Sequence, residues 1–315
     1  MPNGSDRAER PSGEKLSRGA SRWLAFAIVL VLGFGGFGQG QQKNSKCSQC
    51  AVWNTSQTPF RIYGNTYYVG PHGLSSILVT SEAGHILMDG ALEESAPQIA
   101  ANIRSLGFRV EDIKLIVNTH VHFDHAGGIA ELQRLSGARV VASQWSSDVM
   151  TRSGVGRGDP QFGSIRPIPL VPQVSVLTDG ERFRVGNVEI TAHLTPGHTP
   201  GGTSWTWKSC EGDRCLNMVY ADSLTAVSAD GFKFSDSRDY PDAIRDFEKS
   251  FTFLESVPCD ILITTHPDAS HLWDRVDGRK RGVSPDPMIN LNACRQLAKD
   301  ARDDLNERLA HERER

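Results

Sequence analysis

Between positions 119 and 128 the 315-residue chain reads Thr-His-Val-His-Phe-Asp-His-Ala-Gly-Gly, so three histidines and an aspartate fall within six positions. His120 and His122 lie two apart at the end of an apolar run, and in an extended segment their rings project to the same side. Asp124 and His125 follow as the chain turns toward a helix. Neutral imidazole and carboxylate are ligands that borderline-soft zinc accepts. Two nitrogens from one segment with a third from elsewhere leave the open position of a catalytic metal site. Two more histidines stand at strand ends. His198 lies in Leu194-Thr195-Pro196-Gly197-His198-Thr199, and His266 lies in Ile263-Thr264-Thr265-His266-Pro267. His72, His85, His193, His271 and His311 have no convergent partners and read as surface or structural residues.

Periodicity supplies the elements that must carry these groups. Phe60 to Val69 and Ser75 to Thr80 read as strands split by Gly70-Pro71-His72-Gly73, and Gly84 to Asp89 reads as another. Residues 94–106 have helical periodicity ending at Gly107, and Ile113 to Asn118 is a short apolar strand that delivers the His120 cluster at its end. A helix over about 126–136, a strand at 139–143 and a Gly/Pro-rich loop at 155–173 come next. Strands are expected at Val174–Leu177, Arg182–Val185, Val188–Leu194, Thr203–Lys208 and Asn217–Tyr220, then a helix near 240–256 and a buried strand at Ile261–Thr265. The densely charged run 292–315 reads as a solvated helix that frays at its end.

With these residues in view, the chain resembles the metallo-β-lactamase superfamily, whose HxHxDH signature stands here as His120-x-His122-x-Asp124-His125. Leu87-Met88-Asp89-Gly90, the Thr-Pro-Gly-His198-Thr segment, Tyr220-Ala221-Asp222-Ser223 and Thr265-His266-Pro267 follow the family order from about residue 55 to 295. Within the superfamily the chain looks most like the zinc β-lactamases of subclass B3. The resemblance implies an α/β fold, a four-layered αββα sandwich, with two zinc ions at the edge between its sheets. One zinc falls to His120, His122 and His198, the other to Asp124, His125 and His266. A hydroxide bridging the metals is then the nucleophile, oriented by Asp124, and it opens the β-lactam ring of penicillins, cephalosporins or carbapenems, an antibiotic-resistance activity. Asp89 resembles an aspartate behind the ligand loop, with a turn cap as its other reading.

The stretch 222–225 separates relatives. In lactonases and hydroxyacylglutathione thioesterases an aspartate in this motif bridges both metals, and Asp222 is the candidate here. In subclass B3 a serine, here Ser223, faces the site and hydrogen-bonds the substrate carboxylate or metal-bound water. Thr225 is a second hydroxyl for the same carboxylate, and Gln161 is a contact from the loop over the site. Cap roles are the plainer readings of all three. Trp53 is placed either at the pocket mouth or in the core. A metal-binding or scaffold protein with a vestigial site is the reading from outside enzymology.

Before residue 41 the chain carries Arg7, Arg10, Lys15, Arg18 and Arg22, then an uncharged run from Trp23 to Gly38. Its strongest apolar part is shorter than the roughly 20 residues a membrane span needs, so residues 1–40 read as a signal peptide, or as a membrane anchor if uncleaved. The expected location is the periplasm, anchored to the inner membrane in the second case, with residues 41–315 forming one catalytic domain. Six cysteines in an exported chain favour disulfides, with local pairs at Cys210/Cys215 and Cys259/Cys294. Cys47 and Cys50 would close a tight loop, which leaves a distant partner open for either. Without residues 1–38 the chain has 29 basic and 34 acidic residues. That balance argues against a nucleic-acid partner. A small-molecule β-lactam substrate, no stable protein partner and a monomer are expected.

Overall fold

The computed structural model describes residues 47–152 and 154–314. The expected export segment, residues 1–40, lies outside the described residues. Among the described residues no helix is long and apolar enough to cross a membrane. A short helix α1, Cys50–Trp53, precedes a seven-stranded sheet in sequence order: β1 Phe60–Tyr63, β2 Thr66–Tyr68, β3 Ile77–Ser81, β4 Gly84–Met88, β5 Ile113–Val117, β6 Arg139–Ala142 and β7 Val174–Val176. Strands β1 to β4 pair antiparallel, and β4 to β7 pair parallel. Parallel neighbours need crossovers, which α2 Ala96–Ser105, α3 Phe123–Ala126, α4 Ile129–Ser136 and α5 Gln144–Arg152 supply.

The second half folds into a five-stranded sheet. Strands β8 Arg182–Val185, β9 Val188–Leu194, β10 Thr203–Glu211 and β11 Arg214–Ala221 form an antiparallel meander. After α6 Ala243–Ser256, β12 Ile261–Thr264 joins β11 in parallel, and α7 Leu272–Lys280 and α8 Ala293–Arg313 complete the chain. Alternation along the strands makes four layers, because successive side chains point to opposite faces. Ile77, Val79, Ile86 and Met88 meet Trp205, Met218, Tyr220 and Ile263 between the sheets. Leu78, Leu87 and Ile116 turn outward to α2 and α4, while Val219 and Leu262 turn outward to α6 and α8. The αββα sandwich follows.

Three expectations need correction. Residues 60–69 are a hairpin rather than one strand, turning at Gly64-Asn65, where Gly64 has φ 50° and an added Cβ would come 2.5 Å from the Cys210 carbonyl oxygen. The helix expected over 126–136 is two pieces, α3 and α4. They part at Gly127-Gly128, where a Cβ on Gly128 would meet the Gly90 carbonyl at 2.2 Å. Helix α8 is not merely solvated. Cys294, Ala298, Ala301, Leu305 and Leu309 form one buried stripe against Phe247 and Phe251 of α6. The helical spacing of these small and branched residues survives among the charges that mask it. Helices α5 and α7 were not anticipated. All three cysteine pairs are bonded, including Cys47 with Cys50, and Cys259–Cys294 ties α8 to the start of β12.

Candidate metal centre and its cleft

The six candidate ligands converge at one edge of the sandwich. His120, His122, Asp124 and His125 follow β5, His198 sits between β9 and β10, and His266 follows β12. The ligand atoms of His120, His122 and His198 lie within 4.8 Å of one another, and so do those of Asp124, His125 and His266. All but His266 are buried.

Each ring of the first triad is held from behind. The His120 Nδ1 is 2.7 Å from Asp222 Oδ1, the His122 Nε2 lies 3.1 Å from Asp159 Oδ2, and the His198 Nδ1 donates to the Thr225 carbonyl at 2.8 Å. A ring nitrogen that donates outward leaves the other with a lone pair directed inward. His122 Nδ1 and His198 Nε2 therefore face each other 3.2 Å apart, and His120 Nε2 is buried with no partner. Facing lone pairs repel unless a cation lies between them, so this donor set fits a metal ion.

Charge agrees with geometry. Burial holds the His198 pKa down to about 3, and burial with the neighbouring imidazoles holds His120 well below its ordinary value. Burial also disfavours protonating His122, but the Asp159 carboxylate outweighs it and raises the pKa. In the second triad Asp124 Oδ2 lies 3.3 Å from both His125 Nε2 and His266 Nε2. Burial pushes the Asp124 carboxyl up, but His125 and His266 more than offset it and keep its pKa well below the usual carboxylate range.

Asp89, at the end of β4, accepts from the Thr119 backbone N–H and hydroxyl at 2.8 Å each, from Asn118 Nδ2 at 3.0 Å and from Tyr220 Oη at 2.8 Å. Its φ of 59° is a strained conformation that this network offsets. Asp89 thus fixes the loop that launches His120, the first of the two roles weighed for it.

The sandwich topology coincides with that of known proteins. The profile of the metallo-β-lactamase superfamily matches residues 69–211. The solved Rm3 metallo-β-lactamase is 55% identical with a TM-score of 0.83, the alignment covering 85% of this chain and 99% of that one. MEM-A1, a subclass B3 metallo-β-lactamase isolated from a soil metagenome library, is 49% identical with a TM-score of 0.81, over 82% of this chain and 98% of that one. The chain belongs to the metallo-β-lactamase superfamily. Among curated proteins, a hydroxyacylglutathione hydrolase of Maricaulis maris is 36% identical over 90 residues, 28% of this chain and 27% of that protein. One of Rhodospirillum rubrum is 27% identical over 126 residues, 40% of each. The chain thus spans well under half the length of these two curated relatives. Both of these structural neighbours are metallo-β-lactamases, one of them of subclass B3, and the chain is a hydrolase of the metallo-β-lactamase fold with metal-binding histidine groups.

Above the triads lies a cleft of about 520 Å³. Ser223, Thr225 and Gln161 all line it. Ser223 Oγ shares a hydrogen bond of 2.7 Å with Thr265 Oγ1. Thr225 has a further task, since its carbonyl holds His198 and its hydroxyl lies 3.2 Å from the same Nδ1. Gln161 Nε2 is 3.4 Å from His122 Nδ1. Trp53 stands at the mouth, its ring 5.2 Å from that of His266. Asp159 escaped the sequence reading although Gln161, two positions on, did not. The only sequence signal was an acidic residue in Gly158-Asp159-Pro160, which a turn explains equally well.

Proposed function

We propose that this protein is a dizinc hydrolase that opens the β-lactam ring of penicillins, cephalosporins and carbapenems. In this reading His120, His122 and His198 hold one zinc, and Asp124, His125 and His266 hold the other. The observation that carries it is the placement of Asp222. Its carboxylate reaches Nδ1 of His120, the nitrogen opposite the one left without a partner, and it is outside both ligand triads. A thioesterase or lactonase of this fold would need that carboxylate turned inward to bridge the metals. Ser223 lines the cleft beside it, as in the B3 reading.

When bound, zinc supplies Lewis acidity toward the lactam carbonyl and lowers the pKa of water to about 7. The chain's own residues do the rest. Asp222, Asp159 and the Thr225 carbonyl lock the three rings so that their inward nitrogens need no reorganisation. Asp124, kept ionised by its two histidine neighbours, orients the attacking water through a carboxylate oxygen. The Ser223 and Thr265 hydroxyls turn from each other to bind the substrate carboxylate, with Thr225 as a further hydroxyl and the Gln161 amide as a donor from the facing loop. Trp53 shields the His266 side from bulk water.

The hydroxyacylglutathione hydrolase relatives favour a second reading, thioester hydrolysis, and one panel separates the two. Purified protein is expected to cleave a penicillin, a cephalosporin or a carbapenem, to lose that activity with a chelator and to leave S-lactoylglutathione and an acyl-homoserine lactone intact. Zinc-loaded protein that spares every β-lactam yet cleaves the thioester or the lactone refutes the first reading. We place the enzyme in the periplasm as a monomer, exported by residues 1–40 or anchored by them. In that setting it would protect its host from β-lactams. Cell fractionation, gel filtration and the resistance of a susceptible host expressing the gene test these points.

A further inference from the structure

Residues 222–233 leave β11 and run without regular secondary structure, apart from a turn at Asp230-Gly231, to a 3₁₀ turn at Phe234–Asp236. The near end of this strap belongs to the site. Ser223, Leu224, Thr225 and Val227 line the cleft, beside Leu297 and Ala301 of α8. Leu224 and Phe234 are buried, but none of residues 225–233 between them is, so apolar packing does not fix the course of the strap. Hydrogen bonds do. The Ala229 N–H donates to the Pro160 carbonyl at 2.9 Å, which closes the strap onto the facing loop between Asp159 and Gln161. On either side of Ala229, Arg308 Nη2 donates to Ser228 Oγ at 2.8 Å and to the Phe232 carbonyl at 3.0 Å. Glu312, one turn further along α8, accepts the Phe234 and Ser235 N–H groups at 3.0 and 2.9 Å and Arg308 Nε at 2.7 Å.

Local helix rules do not account for this pair. A carboxylate in the last turn opposes the helix dipole, and a basic residue four positions before an acidic one is the less favourable order. Glu312 is nonetheless buried, at 6% exposure. Burial pushes its carboxyl up, but Arg308 and the strap amides outweigh that and keep its pKa below the usual carboxylate value. The partners that explain both residues lie in the strap. We propose that Arg308 and Glu312 are positioning residues that hold the strap closed on the facing loop and so set how tightly the cleft grips its substrate. The inference deepens the proposed function and rests on it for the choice of substrate. Asp222 and Thr225, which orient His120 and His198, flank the buried Leu224 at the near end. Loosening the strap beyond them therefore weakens the wall at Val227 and the contact with Pro160 while the metal ligands stay in place.

The test uses the zinc-loaded full chain. Arg308→Ala and Glu312→Ala are each expected to speed backbone amide exchange at Ala229 about tenfold and to raise KM for a carbapenem about three- to tenfold, with zinc content unchanged and kcat within about twofold. Glu312→Gln keeps one acceptor oxygen and should fall between these and wild type. Arg302→Ala removes a guanidinium of the same helix that pairs with Glu248 and Glu255 of α6. It should lower thermal stability yet leave Ala229 exchange and KM as in wild type. Unchanged exchange or unchanged KM in both alanine variants overturns the inference. An Arg302→Ala protein whose KM rises as far also overturns it, because the pair would then act only through the stability of α8. Wild-type protein that opens no β-lactam overturns the proposed function instead. KM is then read on the thioester or lactone it cleaves, and Ala229 exchange, which needs no substrate, still decides whether the pair closes the strap.

Discussion

Asp159 offers the sharpest test of how the first triad is built. Its two carboxylate oxygens lie 3.2 and 3.1 Å from His122 Nε2, and it is fully buried. It also accepts the Gln161 backbone N–H at 2.8 Å, which couples the loop over the site to the ligand beneath it. Asp159→Ala leaves a buried imidazole N–H without an acceptor and frees the ring to turn its Nδ1 away from His198. A hydrogen bond to a charged group contributes about 1.5–3 kcal/mol. At roughly 1.4 kcal/mol per factor of ten, that is a loss of about 10- to 100-fold in zinc affinity, in line with the usual cost of removing a group that orients a metal ligand. Asp159→Asn keeps an acceptor oxygen but loses the charge, so its loss belongs at the lower end, about tenfold. The assay is competition for zinc against a chromophoric chelator, with thermal unfolding of the metal-stripped proteins as a check on folding. An Asp159→Ala protein that folds and holds zinc as tightly as wild type refutes the claim that Asp159 sets the His122 ring.

Other outcomes follow from the same contacts. His198→Ala removes one ligand of the first triad and should lower zinc content from two per chain to one, read by metal analysis after gel filtration; two retained zincs would show the ligand assignment wrong. Gly197→Ala places a Cβ 2.6 Å from the Phe247 ring at a φ of 137°. It should destabilise the fold by about 1–3 kcal/mol and weaken zinc binding through the adjacent His198, as measured by denaturant unfolding and metal titration. The Cys259–Cys294 bond spans 35 residues and Cys210–Cys215 spans 5. On loop-closure entropy, replacing the first pair with serines should cost about 4 kcal/mol and the second about 2 kcal/mol, and unfolding midpoints in the reverse order would contradict that account.

Much of this molecule was legible because its information is local. Four ligands occupy six consecutive positions, so no long-range knowledge was needed to see them, and strand alternation placed most of both sheets. The hairpin at Gly64-Asn65 was missed because the β-forming residues on both sides, Phe60 to Tyr63 and Thr66 to Val69, made the two-residue turn read as part of one strand. The packing of α8 was missed because charge density drew attention from Ala298, Ala301, Leu305 and Leu309, whose spacing marks a buried stripe. Asp159 reaches His122 from 37 positions away, and the Thr225 contact on His198 is made by a main-chain carbonyl that any residue would carry.

The sequence by itself determined the ligand types and the order of strands and helices, which depend on residue identity and short-range periodicity, and its resemblance to a family implied the layered α/β architecture. Only the tertiary structure decided which nitrogen of each histidine faces inward, that Asp222 stands behind His120, and that α8 walls the cleft. Ring orientation and pocket shape depend on hydrogen bonds and packing between segments tens to more than a hundred positions apart, and their spacing along the chain carries no signal of that meeting.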